Sequence, residues 1–98
     1  MYDITPYTKR QAKRLGVQVK QSSNPKKKID VYKNNEKIAS IGDINYGDYP
    51  TFLQGKYKGK YENSKAYANS RRNAYKLRHE KDRHIKGTPS YYSDQLLW

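Results

Sequence analysis

The sequence contains no cysteine, and this absence excludes disulfide bonds, thiol catalysis and zinc sites built on thiolates. It favours an intracellular protein. Long apolar runs are also missing: no stretch approaches the roughly 18 apolar residues that a membrane span requires, and residues 1–6 lack the apolar core of a signal peptide. We therefore expect no membrane span, and a chain that is soluble or held by other proteins.

Apolar side chains are scarce as well. Hydrophobic residues make up 34% of the 98 residues, and Tyr supplies 11 of the aromatic residues beside one Phe and one Trp. Each buried Tyr hydroxyl needs water or a hydrogen-bond partner, and a chain of this length forms one domain at most. The composition therefore predicts a single small basic domain, residues 1–98, with a thin, polar-edged core.

Acidic residues are few: the sequence has 9 Asp and Glu and 21 Lys and Arg, which gives a net charge of +12. Residues 1–33 carry +7 and residues 54–87 carry +8, whereas residues 34–53 carry −2 and residues 88–98 carry −1. Two basic segments therefore bracket a near-neutral centre. Phosphate polymers or an acidic protein surface suit such segments; the alternative is charge that serves only solubility.

Residues 1–20 are predicted to form a short helix and a strand. Thr5 followed by Pro6 is typical of a helix start, because Thr caps free amides and Pro fits the first turn. Gly16 is a natural helix end. The alternating residues 17–20 then indicate a strand.

Residues 28–41 are predicted to form a β-hairpin. Asn34 and Asn35 join its two strands, and Asn tolerates the positive φ angles of a tight turn. A four-residue loop that includes Glu36 is the alternative, and it would shift the pairing by one residue. With the two-residue turn, the expected pairs are Val31 with Ile38, Ile29 with Ser40, and Tyr32 with Lys37.

The second half of the chain is predicted to be mainly helical. Residues 42–63 form a loop, a long basic helix covers residues 64–85 after the N-cap Ser64, and residues 88–98 form an aromatic segment with a short helix. The fold class is therefore α+β. We expect a small antiparallel β-hairpin or three-stranded sheet with a short N-terminal helix, one long basic helix and a short C-terminal helix.

The long helix is predicted to have one apolar side that also carries charges. Arg78 and Asp82 lie four residues apart there and are expected to form a structural ion pair. The alternative is that Arg71 and Arg78 reach an anion. The apolar residues of this side are Tyr67, Ala74, Tyr75, Leu77 and Ile85.

The apolar end of the chain is a candidate for protein docking. It is expected to pack either on the chain's own core or in a groove of a neighbouring protein. The candidate docking residues are Tyr92, Leu96, Leu97 and Trp98.

No catalytic or metal site is indicated. His79 and His84 lie five residues apart, whereas a metalloprotease helix places its two His four apart on one face. Asp43 and Asp48 lie in a glycine-containing loop, where Asp commonly serves turns and caps; a nuclease-like divalent-ion site is the alternative. We expect no catalytic residue, no metal, no cofactor and no enzyme activity.

Cationic residues with interleaved Tyr rings are candidate contacts for nucleic acid or an acidic partner. Residues 56–61 alternate Lys with Tyr and Gly, and such a pattern can follow a phosphate backbone while the rings stack on bases. No single-strand-binding or zinc-finger motif is present, so sequence-specific recognition is not expected. The candidate residues are Lys26, Lys27, Lys28, Lys56, Tyr57, Lys58, Lys60, Tyr61, Arg72, Lys76 and Arg83.

Several blocks of the sequence resemble one family. They are residues 38–42 (Ile-Ala-Ser-Ile-Gly), 48–53 (Asp-Tyr-Pro-Thr-Phe-Leu), 71–82 (Arg-Arg-Asn-Ala-Tyr-Lys-Leu-Arg-His-Glu-Lys-Asp) and 91–98 (Tyr-Tyr-Ser-Asp-Gln-Leu-Leu-Trp). They are similar to short, basic, uncharacterised proteins encoded by large double-stranded DNA viruses of algae and protists, relatives of phycodnaviruses and mimiviruses. The resemblance implies that the protein is located in the virion, and in the host cytoplasm or nucleus during assembly. It implies no catalytic residue.

Two non-enzymatic functions follow as hypotheses. The first is a structural virion component of the minor capsid type, which docks on other capsid or virion proteins through the hairpin and the aromatic C-terminus. Its basic surfaces would face acidic protein or nucleic acid. The alternative is a sequence-nonspecific DNA- or RNA-binding protein that contacts phosphates through Lys and Arg patches with interleaved Tyr. The sequence leaves the oligomeric state open.

Overall fold

The structure, a computed structural model, describes residues 2–53 and 64–98. It confirms an α+β fold in which a three-stranded antiparallel sheet, of strand order β1-β2-β3, is combined with helices. None of the helices in these two ranges is long and apolar enough to cross a bilayer. The elements in chain order are α1 (Pro6–Leu15), β1 (Gln18–Gln21), β2 (Lys27–Lys33), β3 (Glu36–Asp43), α2 (Tyr49–Leu53), α3 (Ser64–Arg78) and α4 (Pro89–Leu97).

Helix α1 begins and ends where the sequence predicts. The Thr5 side-chain oxygen accepts a hydrogen bond from the Thr8 amide at 3.2 Å, which satisfies one of the free amides of the first turn. Gly16 has a φ of 73°, a left-handed conformation that Gly adopts without a Cβ clash. The Thr8 hydroxyl then donates to the Leu96 carbonyl at 2.8 Å, so the buried side of α1 is fixed to α4.

Strands β2 and β3 form the predicted hairpin, and Asn34 and Asn35 take φ angles of 54° and 65° at its turn. Tyr32 pairs with Lys37 as predicted, but a bulge between Val31 and Tyr32 shifts the rest of the register by one residue. The predicted pairs Val31 with Ile38 and Ile29 with Ser40 are therefore wrong. The observed pairs are Val31 with Ala39, Asp30 with Ser40 and Ile29 with Ile41. Because paired residues share a face, the bulge buries the apolar members of both strands together.

The core lies between the sheet and the helices, and α4 packs against β3. Ile29 and Ile41 of the sheet and Leu96 and Leu97 of α4 are at most 2% exposed. Gly42, at a φ of 79°, marks the closest approach, because a Cβ there would lie 2.8 Å from the Leu97 side chain. The strand and the helix therefore pack through backbone on one side and a leucine on the other.

The loop predicted over residues 42–63 is wrong in part. Strand β3 continues to Asp43, and residues 49–53 form the short helix α2. The fully buried Asp48 precedes this helix, and its Oδ1 accepts a hydrogen bond from the Thr51 amide at 3.0 Å. The sequence hid this helix because its residues, which include a proline, have no helical apolar period of their own.

The long helix predicted over residues 64–85 is also wrong in extent, because α3 ends at Arg78 and turns follow it. Two residues of the expected apolar side, Leu77 and Ile85, are 79% and 55% exposed. A longer helix would therefore gain little burial. The chain instead turns back so that α4, capped by Thr88 as predicted, can reach β3.

Asp30 ties the sheet to the turn that precedes β2. Its carboxylate, in a residue only 2% exposed, accepts hydrogen bonds from the Ser22 hydroxyl at 2.7 Å and the Ser40 hydroxyl at 2.6 Å. The Ser23 amide adds a third bond at 3.2 Å. Burial by itself raises the pKa of Asp30, but these hydrogen bonds outweigh it and hold the pKa below its ordinary value.

Acid is therefore expected to weaken the fold through Asp30. Because the pKa is lower in the folded chain, the stabilisation is present above the ordinary pKa of 3.8 and is lost as the pH falls through the folded value. We expect Asp30→Asn to lower the free energy of unfolding at neutral pH by about 1–3 kcal/mol. The variant should also flatten the dependence on pH between about 5 and 3.

Urea unfolding followed by circular dichroism measures both effects. Asp3→Asn, which changes an exposed carboxylate, is the matched control and should follow the unmodified chain. Identical pH profiles for the unmodified chain and Asp30→Asn would contradict the role given to this carboxylate.

Candidate nucleic-acid interface

A cleft of about 410 Å³ opens between the open end of the β2–β3 hairpin, helix α3 and the start of α4. Its walls combine positive charge with aromatic rings. The exposed cations are Lys27 from β2 and Arg71 and Arg78 from α3, and the rings include Tyr46, Tyr75 and Trp98. Lys28 also contributes to the lining, but it is buried. A concave, partly apolar site of this size with a few charged groups at its edge suits a small or extended ligand.

The three exposed cations of the cleft are free to bind a ligand. Arg71 and Arg78 lie seven residues apart on α3, so helix geometry places them on one side, with Tyr75 between them. Both are exposed, as is Lys27. Within residues 2–53 and 64–98, none of the three forms an ion pair with a carboxylate. Asp43 also lines the cleft and contributes one carboxylate, whose Oδ1 accepts a hydrogen bond from the Asn45 amide at 2.8 Å.

Aromatic stacking forms the base of the cleft. The Tyr75 ring stacks with the Trp98 ring at a centroid distance of 4.6 Å and with the His79 ring at 4.3 Å. Tyr75 and Trp98 are only 7% and 8% exposed. Burial raises the pKa of the Tyr75 hydroxyl above its ordinary value, so this ring adds no negative charge to the cleft.

Tyr46 is the exposed ring of the cleft. It is 72% exposed and follows the turn in which its amide donates to the Asp43 carbonyl at 3.1 Å. The next residue, Gly47, lies against the Phe52 ring so closely that a Cβ would collide with it. This contact holds the loop that carries Tyr46. Sequence reasoning missed Tyr46; the Gly-, Asp- and Tyr-containing loop was a signal for turns, but it does not indicate which ring faces a cleft.

One predicted contact residue, Lys28, is buried. Its ammonium lies 2.9 Å from the Asp48 carboxylate, and the two side chains are 5% and 1% exposed. The Tyr2 ring covers the pair, with its centroid 5.2 Å from the ammonium. Burial and then the charge of Asp48 raise the pKa of the Tyr2 hydroxyl. The assignment of Lys28 to partner binding is therefore wrong, because Lys28 neutralises a carboxylate inside the fold.

Three further predicted contacts, Arg72, Lys76 and Arg83, are engaged within the chain. Arg72 Nε donates to the Trp98 carbonyl at 2.6 Å. Lys76 pairs with Asp94 at 2.8 Å, and Arg83 lies 3.6 Å from the same carboxylate. The reason is common to the three: the turn after α3 brings α4 alongside these side chains, which stay partly exposed. Their contact with a partner stays a prediction.

The remaining predicted contacts divide into two groups. Lys26, just before β2, and Lys27, its first residue, are exposed as predicted. The alternating Lys and Tyr residues lie outside the described residues. They are Lys56, Tyr57, Lys58, Lys60 and Tyr61.

The proposed docking residues belong to the core of the chain itself. Each is at most 8% exposed, so none is available to a neighbouring protein. The assignment to docking on a partner is therefore wrong, and the alternative reading, packing on the chain's own core, is confirmed. The residues are Tyr92, Leu96, Leu97 and Trp98.

The predicted ion pair between Arg78 and Asp82 does not form, because α3 ends at Arg78 and the helical spacing is lost. Asp82 instead accepts the Ser90 hydroxyl at 3.1 Å and lies 3.6 Å from His79 Nδ1. This leaves Arg78 at the cleft with Arg71, which is the arrangement that the alternative interpretation required.

The acidic and histidine residues considered for chemistry serve the structure. Asp43 accepts a hydrogen bond from a backbone amide in the turn after β3, and Asp48 accepts one from a backbone amide of α2. His84 lies 3.0 Å from Glu80. Among the residues that the structure describes, no three His, Asp or Glu side chains are grouped so that they could hold a metal ion.

Among the described residues, folding withdraws as many cations as carboxylates from the exposed surface, so the ratio of exposed cations to exposed acids rises while their difference stays the same. Three carboxylates, those of Asp30, Asp48 and Asp94, are buried. In the described part of the chain, 14 Lys and Arg are exposed against four Asp and Glu. The exposed cations are Lys9, Arg10, Lys13, Arg14, Lys20, Lys26, Lys27, Lys33, Lys37, Lys65, Arg71, Arg78, Lys81 and Lys86; the exposed acids are Asp3, Glu36, Asp43 and Glu80.

Comparison with known proteins assigns the chain to no family. No protein-family model, no curated protein and no solved structure matches the chain. The resemblance to proteins of large DNA viruses therefore stays a prediction, and the function has to be inferred from the surface and the cleft.

Proposed function

We propose that this chain is a non-enzymatic, sequence-nonspecific nucleic-acid-binding protein. The observation that carries the proposal is the excess of exposed cations over exposed carboxylates after folding. A phosphate backbone is the polymer that such a surface attracts, because each phosphate contact releases condensed counterions. Contacts of this kind carry no sequence information.

The cations are spread over several elements, which suits a polymer more than a compact anion. Helix α1 contributes Lys9, Arg10 and Lys13, and the sheet side contributes Lys26 and Lys27. Arg71 and Arg78 add the charge of the cleft. The surface thus offers many separate phosphate contacts, each of modest strength.

Salt dependence tests the proposal. We expect a labelled oligonucleotide to bind at low salt and to lose about 10- to 100-fold in affinity between roughly 50 and 200 mM salt, as expected for two to four neutralised phosphates. Fluorescence anisotropy measures the affinity, and oligonucleotides of different sequence should give similar values.

A charge-reduced variant provides the control. Lys9→Ala with Lys13→Ala removes two exposed cations from α1 and should reduce the slope of log affinity against log salt, whatever the sequence. Absence of binding at low salt, or an affinity that salt leaves unchanged, would refute the proposed function.

A structural role in a virion is the second candidate. With the C-terminal aromatic residues buried, its remaining support is the exposure of two aliphatic side chains, Leu77 and Ile85, at 79% and 55%. Fractionation of particles separates the two functions. Recovery with the outer shell would favour the structural role, and recovery with the nucleic-acid core would favour binding to the genome.

A further inference from the structure

We infer that the cleft is a binding site for a single-stranded segment of nucleic acid, in which an unstacked base contacts Tyr46 and the neighbouring phosphates contact Arg71 and Arg78. This inference rests on the proposed function and names the site and the form of nucleic acid. A general cationic surface binds duplex and single strand alike; a cleft with an aromatic lining does not.

The spacing of the cations suits a chain of phosphates. Arg71 and Arg78 leave α3 about 10 Å apart, since each residue advances the helix by about 1.5 Å. Lys27 adds a third positive charge from β2, on a different wall of the cleft. Charges that enter from two walls can hold successive phosphates of one strand along the cleft.

The aromatic residues of the cleft suit a base. Tyr46, at 72% exposure, offers a free ring at the cleft, and every base has a face that can stack on such a ring. Tyr75 and Trp98 form the buried apolar floor of the cleft. Duplex bases are already stacked and paired, so only a strand with accessible bases gains from these contacts.

The cleft contains its own reporter, because Trp98 is the one tryptophan of the sequence and contributes to the lining. A base that enters the cleft should change the Trp98 fluorescence. Nucleic acid bound elsewhere on the cationic surface should leave it unchanged. Fluorescence and anisotropy together therefore separate occupation of the cleft from binding in general.

The experiment titrates the full chain with a short oligothymidylate, with a duplex of equal length and with a phosphotyrosine peptide. We expect the single strand to change the Trp98 fluorescence in a saturable manner and the duplex to change it at least tenfold less. Arg71→Ala with Arg78→Ala should weaken single-strand binding about tenfold or more, and Tyr46→Ala should weaken it about fivefold or more, within the range that one stacked base contributes.

Lys81→Ala with Lys86→Ala is the matched control, since it removes two exposed cations that do not line the cleft. It should reduce single-strand affinity less than the cleft pair does. Circular dichroism of each variant verifies that the fold is retained. Rescue by Arg71→Lys with Arg78→Lys, which keeps the charge, should recover most of the affinity.

The outcomes distinguish this inference from the proposed function. Anisotropy changes without a Trp98 response, and equal losses in the cleft pair and the control pair, would overturn the cleft site while leaving nonspecific binding intact. Saturable occupation of the cleft by the phosphotyrosine peptide and not by the oligonucleotide would overturn it in favour of a protein ligand. Absence of binding by any oligonucleotide at low salt would overturn both.

Discussion

Asp48→Ala is expected to lower the free energy of unfolding by about 3–5 kcal/mol, because it leaves Lys28 as a buried charge without a partner. The two side chains are 5% and 1% exposed, so water cannot replace the lost carboxylate. The same change removes the Asp48 Oδ1 atom, which accepts a hydrogen bond from the Thr51 amide in the first turn of α2. Chemical denaturation followed by circular dichroism gives the free energy.

Asp43→Ala is the matched control for this change. Asp43, at the end of β3, also accepts a hydrogen bond from a backbone amide, but it is exposed and has no cation within ion-pair distance in the described ranges. We expect it to cost about 1 kcal/mol or less. Replacing both partners, Lys28→Met with Asp48→Leu, should recover much of the loss from Asp48→Ala, since it removes the unpaired charge. Equal effects of Asp43→Ala and Asp48→Ala would show that the pair is not buried.

Leu97→Ala is expected to lower the free energy of unfolding by about 2–5 kcal/mol. Leu97 is 1% exposed, and its side chain packs against Gly42. Gly42 has no side chain that could move into the space that the shorter Ala would leave. The expected loss therefore combines the apolar surface with an unfilled cavity. Thermal and urea unfolding measure it.

Leu77→Ala makes the same chemical change at a residue that is 79% exposed, and we expect less than about 0.5 kcal/mol. The pair of variants compares two leucines that the sequence did not separate. Leu77 was predicted to lie on the apolar side of the long helix, and Leu97 was expected to pack either on the chain's own core or on a partner. A small effect of Leu97→Ala together with a large effect of Leu77→Ala would contradict the burial of Leu97 and the exposure of Leu77.

Local rules accounted for several elements because their signals are contained in a few neighbouring residues. Thr5 and Thr88 cap their helices, Gly16 ends α1, and the Asn34-Asn35 pair makes the turn of the hairpin. Each feature depends on one side chain and the nearest amides. Sequence reasoning could therefore identify them without any knowledge of the core.

The candidate site was less accessible to sequence reasoning, because charge alone does not tell which cations are engaged. Lys26, Lys27 and Lys28 form one run, yet only the last is buried against Asp48. Arg71 and Arg72 are also adjacent, and only Arg71 lines the cleft. Successive residues of a strand point to opposite faces, and successive residues of a helix point about 100° apart, so neighbouring cations meet different surroundings. The partner elements then decide which of them is paired.

The sequence by itself determined the α+β class, the capped helices α1 and α4, the hairpin turn and the large positive charge. The tertiary structure decided the bulged register, the end of α3 at Arg78 and the burial of the aromatic C-terminus. It also decided that Arg71, Arg78 and Tyr46 share a cleft. The physical reason is that caps and turns are local, whereas burial and ion pairing depend on which elements meet across the core.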